Sequence, residues 1–488
     1  MIKALTCKTQ VISLICDNSW GVLMVKFRRL KSLLTTVSAA CLIGVTGAAH
    51  AITLEDAVRA AVTSNPTSRA ADANVRASAM ELLQLEREYM PTLNLYGEVG
   101  ASYFDDADRL NAFDQRDTKI YREVGIVGEL TLFDGYRRAN LVYQNAAALD
   151  GAIFRLLDAS ETMALNAVEA YIDVLRHRSL LNVTAQNIAR HREIIRQVDE
   201  LIDAGRLPSS TGFEAQERLL AAQMSQVEVR QALFDANSRF LAVVGKDPDG
   251  QMHVPFVKNL PLQKREFVIR SVRNNFRLKQ FETNIQAAEF DETVQKSDEL
   301  PQIRLQAGAR HGREVSGTQG SESDVFVGLR ADWEFYAGGR DARERALKHR
   351  TSEARAERDA VRRDVFEMAE NTWHAYDANI ERTVLLSRRL TAARQTSRQY
   401  EEQFQTGSRS LIDVLDAEAT VFNVQFEKVS AEASFTFSQY RLLASQGLLA
   451  KRFNVTAANV PLNPDFVARS TSSARPQSIF KTEIKALE

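Results

Sequence analysis

Two carboxylates three residues apart, Asp413 and Asp416, follow the glycine-containing turn Thr406-Gly407-Ser408-Arg409 between two helical patterns. That spacing puts both on one face of a helix, within its first two turns. Acidic groups near a helix N-terminus are favoured by the backbone dipole, so the local reading is a well-started helix. A second chemistry opens only if several copies bring these carboxylates to one axis, and the rest of the chain must decide that.

Other chemistries find little support. The 488 residues carry 62 basic and 63 acidic side chains, interleaved along helical patterns, which gives no nucleic-acid signature. Residues 24–51 read as a secretory signal: Lys26, Arg28, Arg29 and Lys31, then an apolar run over 33–45, then the small-residue site Ala49-His50-Ala51. Residues 1–23 do not fit ahead of such a signal, so Met24 is the expected start. The run Ser38-Ala39-Ala40-Cys41 only faintly resembles a lipoprotein site, and apolar sequence continues past it. Residues 1–51 hold six basic side chains and one acid, so cleavage after Ala51 takes the net charge from −1 to about −6. All three cysteines, Cys7, Cys16 and Cys41, leave with that segment, so the mature chain has no thiolate chemistry. Histidines 177, 191, 253, 311, 349 and 374 form no HExxH, and neither a phosphate loop nor GxSxG occurs. No cofactor, metal or enzyme activity is expected.

The positioning elements come in two copies. Prolines are absent between Pro91 and Pro208 and between Pro301 and Pro461, and each gap can hold a very long helix. Asn65 matches Asn275, Asn74 matches Asn284, Ala77 matches Ala287 and Pro91 matches Pro301, all at offset 210. Further on, Gly205 matches Gly407, Ala215 matches Ala417 and Gly245 matches Gly447 at offset 202. The chain therefore reads as a tandem duplication, 52–245 and 267–454, with a proline-bearing linker at 246–266 and a polar tail at 455–488.

Each copy opens with a helical segment (53–90 and 267–299) and continues with two alternating stretches. In 92–103, Leu93, Leu95, Val99, Ala101 and Tyr103 oppose Asn94, Glu98 and Ser102; in 122–133, Val124, Ile126, Leu130 and Leu132 alternate with Glu123, Glu129 and Thr131. In 302–311, Ile303, Leu305, Ala307 and Ala309 alternate with Arg304, Gln306 and Arg310; in 323–335, Val325, Val327, Leu329, Ala331, Trp333 and Phe335 oppose Arg330, Asp332 and Glu334. Period two with charge on one side means strands with one dry and one wet face. Twelve residues at ~3.3 Å span ~40 Å, enough for a tilted membrane strand. A soluble sandwich alternates too, but the neighbouring helices are too long for one, and four strands cannot close a barrel alone. The loops 104–119 and 312–322 are long and polar, as outward barrel loops are. No run of 18 apolar residues follows Ala51, so no membrane-crossing helix is expected.

From the strands the chain enters helical patterns over 136–203 and 341–405, each nearly 70 residues and so ~100 Å long at ~1.5 Å per residue. Each returns, over 210–244 and 411–449, with coiled-coil spacing such as Leu411, Leu415, Phe422, Phe426 and Val429.

Helix, two strands, long helix, tight turn, long helix, run twice, resembles the TolC family of outer-membrane channels. The residues that carry the likeness are Leu132-Phe133-Asp134-Gly135, its counterpart Phe335-Tyr336-Ala337-Gly338-Gly339-Arg340, and 407–417, GSRSLIDVLDA. It extends over about 52–454. The resemblance implies an α+β fold in which three chains give four strands each to a 12-stranded outer-membrane β-barrel, continued by a periplasmic α-helical coiled-coil barrel. It implies apolar strand residues against outer-membrane lipid, and Glu123, Glu129, Arg304, Arg310, Arg330, Asp332 and Glu334 facing the lumen. It implies a homotrimer working with a periplasmic adaptor and an inner-membrane RND or ABC transporter, exporting drugs, detergents and bile salts, or proteins.

By the same resemblance the hairpin turns, with Gly205, Pro208 and Gly407, close the periplasmic entrance. Asp413 and Asp416 match its acidic ring, where six carboxylates would prefer cations and raise their shared apparent pKa by repulsion. Arg409 matches an arginine that fastens the closed tips to a neighbouring hairpin. The sequence departs from the pattern there: Thr211, after Ser209 and Ser210, stands for an acidic partner, and Phe404 stands for a tyrosine. Ser210 or Thr211 would accept a weaker bond from Arg409. The competing reading is a periplasmic coiled-coil adaptor or scaffold without channel activity; an envelope hydrolase is a weaker third.

Overall fold

The computed structural model describes residues 52–105, 116–258, 260–315 and 320–455. The signal segment, its cleavage site, the tail beyond 455 and the middle of both polar loops lie outside the described residues.

Nine helices and four strands run in the order α1 (Leu54–Ser64), α2 (Pro66–Arg87), β1 (Thr92–Asp105), β2 (Arg116–Phe133), α3 (Arg137–Asp203), α4 (Ser210–Val244), α5 (Lys264–Asn274), α6 (Phe276–Ser297), β3 (Gln302–Arg313), β4 (Ser321–Asp332), α7 (Arg340–Gln405), α8 (Leu411–Ser445) and α9 (Leu449–Arg452) among the described residues. The duplication is visible in the chemistry of the joints. Asn65 and Asn275 each break the expected opening helix in two, holding an extended backbone while their side chains cap the next helix. Gly205 and Gly407, and likewise Gly245 and Gly447, all take the left-handed conformation that ends a helix, with φ between 66° and 78°.

The four strands form one antiparallel sheet in the order β1-β2-β3-β4, so β1 and β4 are its edges. Their ends differ from the sequence expectation. All four strands run further into the polar loops, and at its other end β4 stops at Asp332, opposite Gln302. Beyond that pair β3 offers only Pro301, which has no amide to donate. Trp333 turns its ring nitrogen to the Glu299 carbonyl (3.1 Å) instead, and Glu334 lies outside the sheet.

At the exits of β2 and β4 the chain must turn into a long helix. The Asp134 carboxylate accepts from the Arg138 amide (3.1 Å) and guanidinium (2.6 Å), and Arg138 also donates to the Thr131 and Glu88 carbonyls. Arg340 does the equivalent work in the second copy, donating to the carbonyls of Glu334 (2.7 Å) and Asp298 (3.3 Å). These are two of the three motifs that carry the family resemblance.

The largest core gathers α1, α3, α4 and α8 with the linker around Tyr171, Phe240, Val257 and Tyr440. Linker carbonyls are satisfied there by phenols: Tyr171 donates to His253 and Tyr440 to Pro255, and Tyr171 also reaches the Ile52 carbonyl ahead of α1. A separate cluster at the far end of the long helices unites Ile194 and Val198 of α3, Ala215 of α4, Phe404 of α7, and Leu411, Val414 and Leu415 of α8. Among the described residues no helix is long and apolar enough to cross a membrane.

Candidate functional site at the hairpin tips and the sheet face

The α7–α8 tip is built by its polar residues. Ser410 caps α8: its hydroxyl donates to the Asp413 carboxylate (2.7 Å), its amide does so at 3.3 Å, and the Asp413 amide returns a bond to the hydroxyl. The Ser410 hydroxyl and amide, with the nearby Arg409 charge, hold Asp413 below the usual carboxylate range. Within one chain the shift is therefore downward, opposite to the rise expected from a ring of acids. Asp416, one turn on, is more exposed and accepts from Arg218 of α4 at 3.3 Å.

Arg409 folds back on its own hairpin. Its guanidinium stacks 4.0 Å from the Tyr400 ring centroid and donates to Gln403 (3.2 Å). Among the described residues of one chain it bonds to neither Ser210 nor Thr211. Thr211 is buried, its amide donating to the Pro208 carbonyl at 3.1 Å, while Ser210 is exposed. Phe404, 7% exposed, is packing in the tip cluster.

What fastens the two hairpins inside one chain is a group that the sequence reading did not single out. Arg190 of α3 reaches both helices of the second hairpin, Glu401 of α7 at 2.6 Å and Glu418 of α8 at 3.0 Å. Ser397 also donates to Glu418 (2.7 Å), and the glutamate is buried. His191 is buried beside them; burial pushes its imidazole below its ordinary range, Arg218 and Arg190 add to that, and Glu418 opposes it. A signal did exist in the sequence. Glu418 sits in the apolar register of Leu411, Leu415 and Phe422, and His191 in that of Ile188, Ile194 and Val198. A charge on a core stripe is costly unless paired.

The sheet has one polar and one apolar face. The register brings Glu123, Glu129, Arg304, Arg310, Arg330 and Asp332 to the same side. Arg304 bridges Glu129 (3.1 Å) and Asp332, Arg330 meets Asp332 (3.1 Å), and Arg310 meets Asp324 (3.2 Å). The opposite side carries Leu93, Leu95, Val99, Val124, Ile126, Val325, Val327 and Leu329, all exposed in the single chain and Val325 by 81%. A face this apolar, left uncovered, is built for a non-aqueous surrounding.

Comparison with known proteins agrees with this geometry. The chain is 25% identical over 406 residues to the outer membrane efflux protein BepC of Brucella suis, covering 82% of this chain and 86% of that one. It is 22% identical over 414 residues to the outer membrane protein TolC of Escherichia coli, covering 75% and 84%. The Campylobacter jejuni CmeC outer membrane channel superposes with a TM-score of 0.70 over 81% of this chain and 85% of that one, at 12% identity, which speaks for the fold. The profile of the outer membrane efflux protein family matches residues 57–246 and 270–448, the two halves of the duplication. The chain thus belongs to the outer membrane efflux protein family, the TolC-type channels of the cell outer membrane whose helical part stands in the periplasm.

Proposed function

We propose that three copies of this chain close into a passive exit duct, a 12-stranded barrel in the outer membrane continued by a helical tunnel. The observation that carries this reading is the sheet. Four strands with two open edges, one ion-paired face and one bare apolar face satisfy a membrane only when copies pair edge to edge. The ion-paired face then lines the bore and the apolar face meets lipid. A periplasmic adaptor and an inner-membrane RND or ABC transporter supply energy and select the cargo, whether drugs, detergents and bile salts, or secreted proteins.

The tips form the entrance. Asp413 and Asp416 of three chains ring it, favouring cations and binding multivalent ones. Within each protomer Arg190 ties the first hairpin to both helices of the second, so the closed position does not depend on the missing tyrosine at 404. Arg409, held over Tyr400, stands at the outer end of the same tip.

Conductance of the purified protein in planar bilayers, with and without a trivalent cation on the side of the tips, tests this. Small cation-selective channels blocked from that side are expected. Replacing Asp413 and Asp416 with alanine weakens both preference and block. Asp416→Ala alone lowers them without touching the Ser410 cap. Unchanged behaviour of the double variant removes the ring assignment. A well-folded protein that forms no channels returns the argument to a periplasmic adaptor.

A further inference from the structure

On the polar face two tyrosines lie flat across glycines of the neighbouring strand. Tyr96 of β1 is directly opposite Gly125 of β2, and Tyr121 of β2 is directly opposite Gly100 of β1. A Cβ on Gly125 would sit 2.6 Å from the Tyr96 ring, and one on Gly100 would sit 2.5 Å from the Tyr121 ring. The rings thus occupy the space that any other residue's side chain would need, and Gly125 is buried beneath one of them. Each phenol is tied down along its own face: Tyr96 donates to Glu123 and Tyr121 to Glu98, both at 2.6 Å. Phe326 lies over Gly308 of β3 in the same way in the second copy, though there an added Cβ would also meet the Ile126 carbonyl.

Glycine in a strand interior weakens the strand, and its usual compensation is a close approach by another group. Two such pairs, crossed between the same two strands and both anchored by glutamates, are more than a packing accident. We propose that Gly100 and Gly125 set the width of the bore by letting Tyr121 and Tyr96 lie against the wall. A side chain at either position lifts its tyrosine off the strand, breaks the phenol–glutamate bond and turns the ring into the lumen. These pairs therefore bound the size of cargo that passes the barrel, beyond the cluster of Glu129, Arg304 and Asp332 at the helix end of the sheet. The inference rests on reading the polar face as the lumen.

The test uses a reporter cysteine at Asn94, an exposed position on the polar face of β1. It lies on the helix side of both rings, and the cysteines at 7, 16 and 41 leave with the signal. Whole cells carrying the full chain are labelled from outside with a small maleimide and with a bulky polymer-linked one. In the Asn94→Cys background, Gly125→Ala and Gly100→Ala slow the bulky reagent severalfold and leave the small one unchanged. Adding Tyr96→Ala to Gly125→Ala restores the bulky rate. Tyr96→Ala alone puts no side chain against the strand and leaves the bulky rate near that of the parent. Wild-type bulky labelling in folded Gly125→Ala and Gly100→Ala overturns the proposal. So does a large acceleration by Tyr96→Ala, because the ring then already obstructed the bore. If the small reagent never reaches the reporter thiol of the Asn94→Cys parent, the polar face is not a lumen and the channel reading itself fails.

Discussion

The two hairpin tips come from equivalent segments of a duplicated chain and are held in different ways. The α3–α4 turn relies on packing and backbone. Gly205 ends α3 with φ 70°, Ser209 makes no side-chain cap, and Thr211 is buried with its amide on the Pro208 carbonyl. The α7–α8 turn relies on polar bonds. Ser410 and Asp413 form a reciprocal cap, and Arg409 is stacked on Tyr400. A turn held by packing needs neighbours, whereas one held by its own caps keeps its shape when a neighbour leaves. The difference suits the second tip to present fixed acids and the first to serve as the surface against which it rests.

The strongest way to break this comparison is to remove the tie between the tips. Arg190→Ala leaves Glu418 buried among apolar residues with only Ser397 for a partner. Breaking a buried pair costs up to 3–5 kcal/mol, but Arg190 and Glu401 are partly exposed, so about 2 kcal/mol is expected. Denaturant unfolding followed by circular dichroism reads it. Glu418→Gln in the same background recovers part of the loss, since the stranded charge is gone. A cost near zero would mean that packing and the Arg218–Asp416 pair suffice to couple the two hairpins.

Both turns were legible in the sequence, because glycine, proline and capping residues act locally. Gly205, Gly407 and the acids Asp413 and Asp416 in the first turns of a helix needed no tertiary information, and neither did the alternation that split the strands into a wet and a dry face. The kinks at Asn65 and Asn275 were hidden, although Asn-Pro at 65–66 was there to read. The tie at Arg190 was hidden for a deeper reason. Its partners lie more than 200 residues away on two different helices, and local periodicity cannot say which helix faces which. Glu418 and His191, each on an apolar stripe, were the local traces of it. Glu334 shows the opposite failure: its alternation continues past the point where β3 runs out of amides, so pattern outlived pairing.

A smaller effect sharpens the contrast at the caps. Ser410→Ala removes a reciprocal cap and should lower stability by about 1 kcal/mol. Ser209→Ala, at the N-cap position of α4, should change almost nothing, because its hydroxyl makes no cap bond. Paired unfolding curves of the two variants test this. Equal losses would erase the distinction between a packed tip and a capped one.

The smallest and most selective effect is in pH. His191 is held below the ordinary histidine value of 6.5 by burial. Once pH falls below 6.5 the unfolded chain takes up a proton that the folded chain refuses, so stability drops from that point downward. The groups facing the ring, Arg218 and Arg190 against Glu418, set how steep the drop is. Asp413 titrates in the other direction of shift: its folded value is depressed below 3.8, so its contribution is complete above that value and is lost only as pH falls through the lower folded one. The two tips should therefore fail in sequence on acidification, the His191 side from about pH 6.5 and the Asp413 side only below about 3.8. His191→Gln should flatten stability between about pH 6.5 and 5 and leave the lower limb untouched, while Ser410→Ala should lower stability above about pH 3.8 and flatten only the lower limb. If His191→Gln leaves the slope over about pH 5–6.5 as it was, the folded and unfolded imidazoles take up their proton alike. Glu418 then balances burial, and the junction of the hairpins gains a fourth charge on acidification.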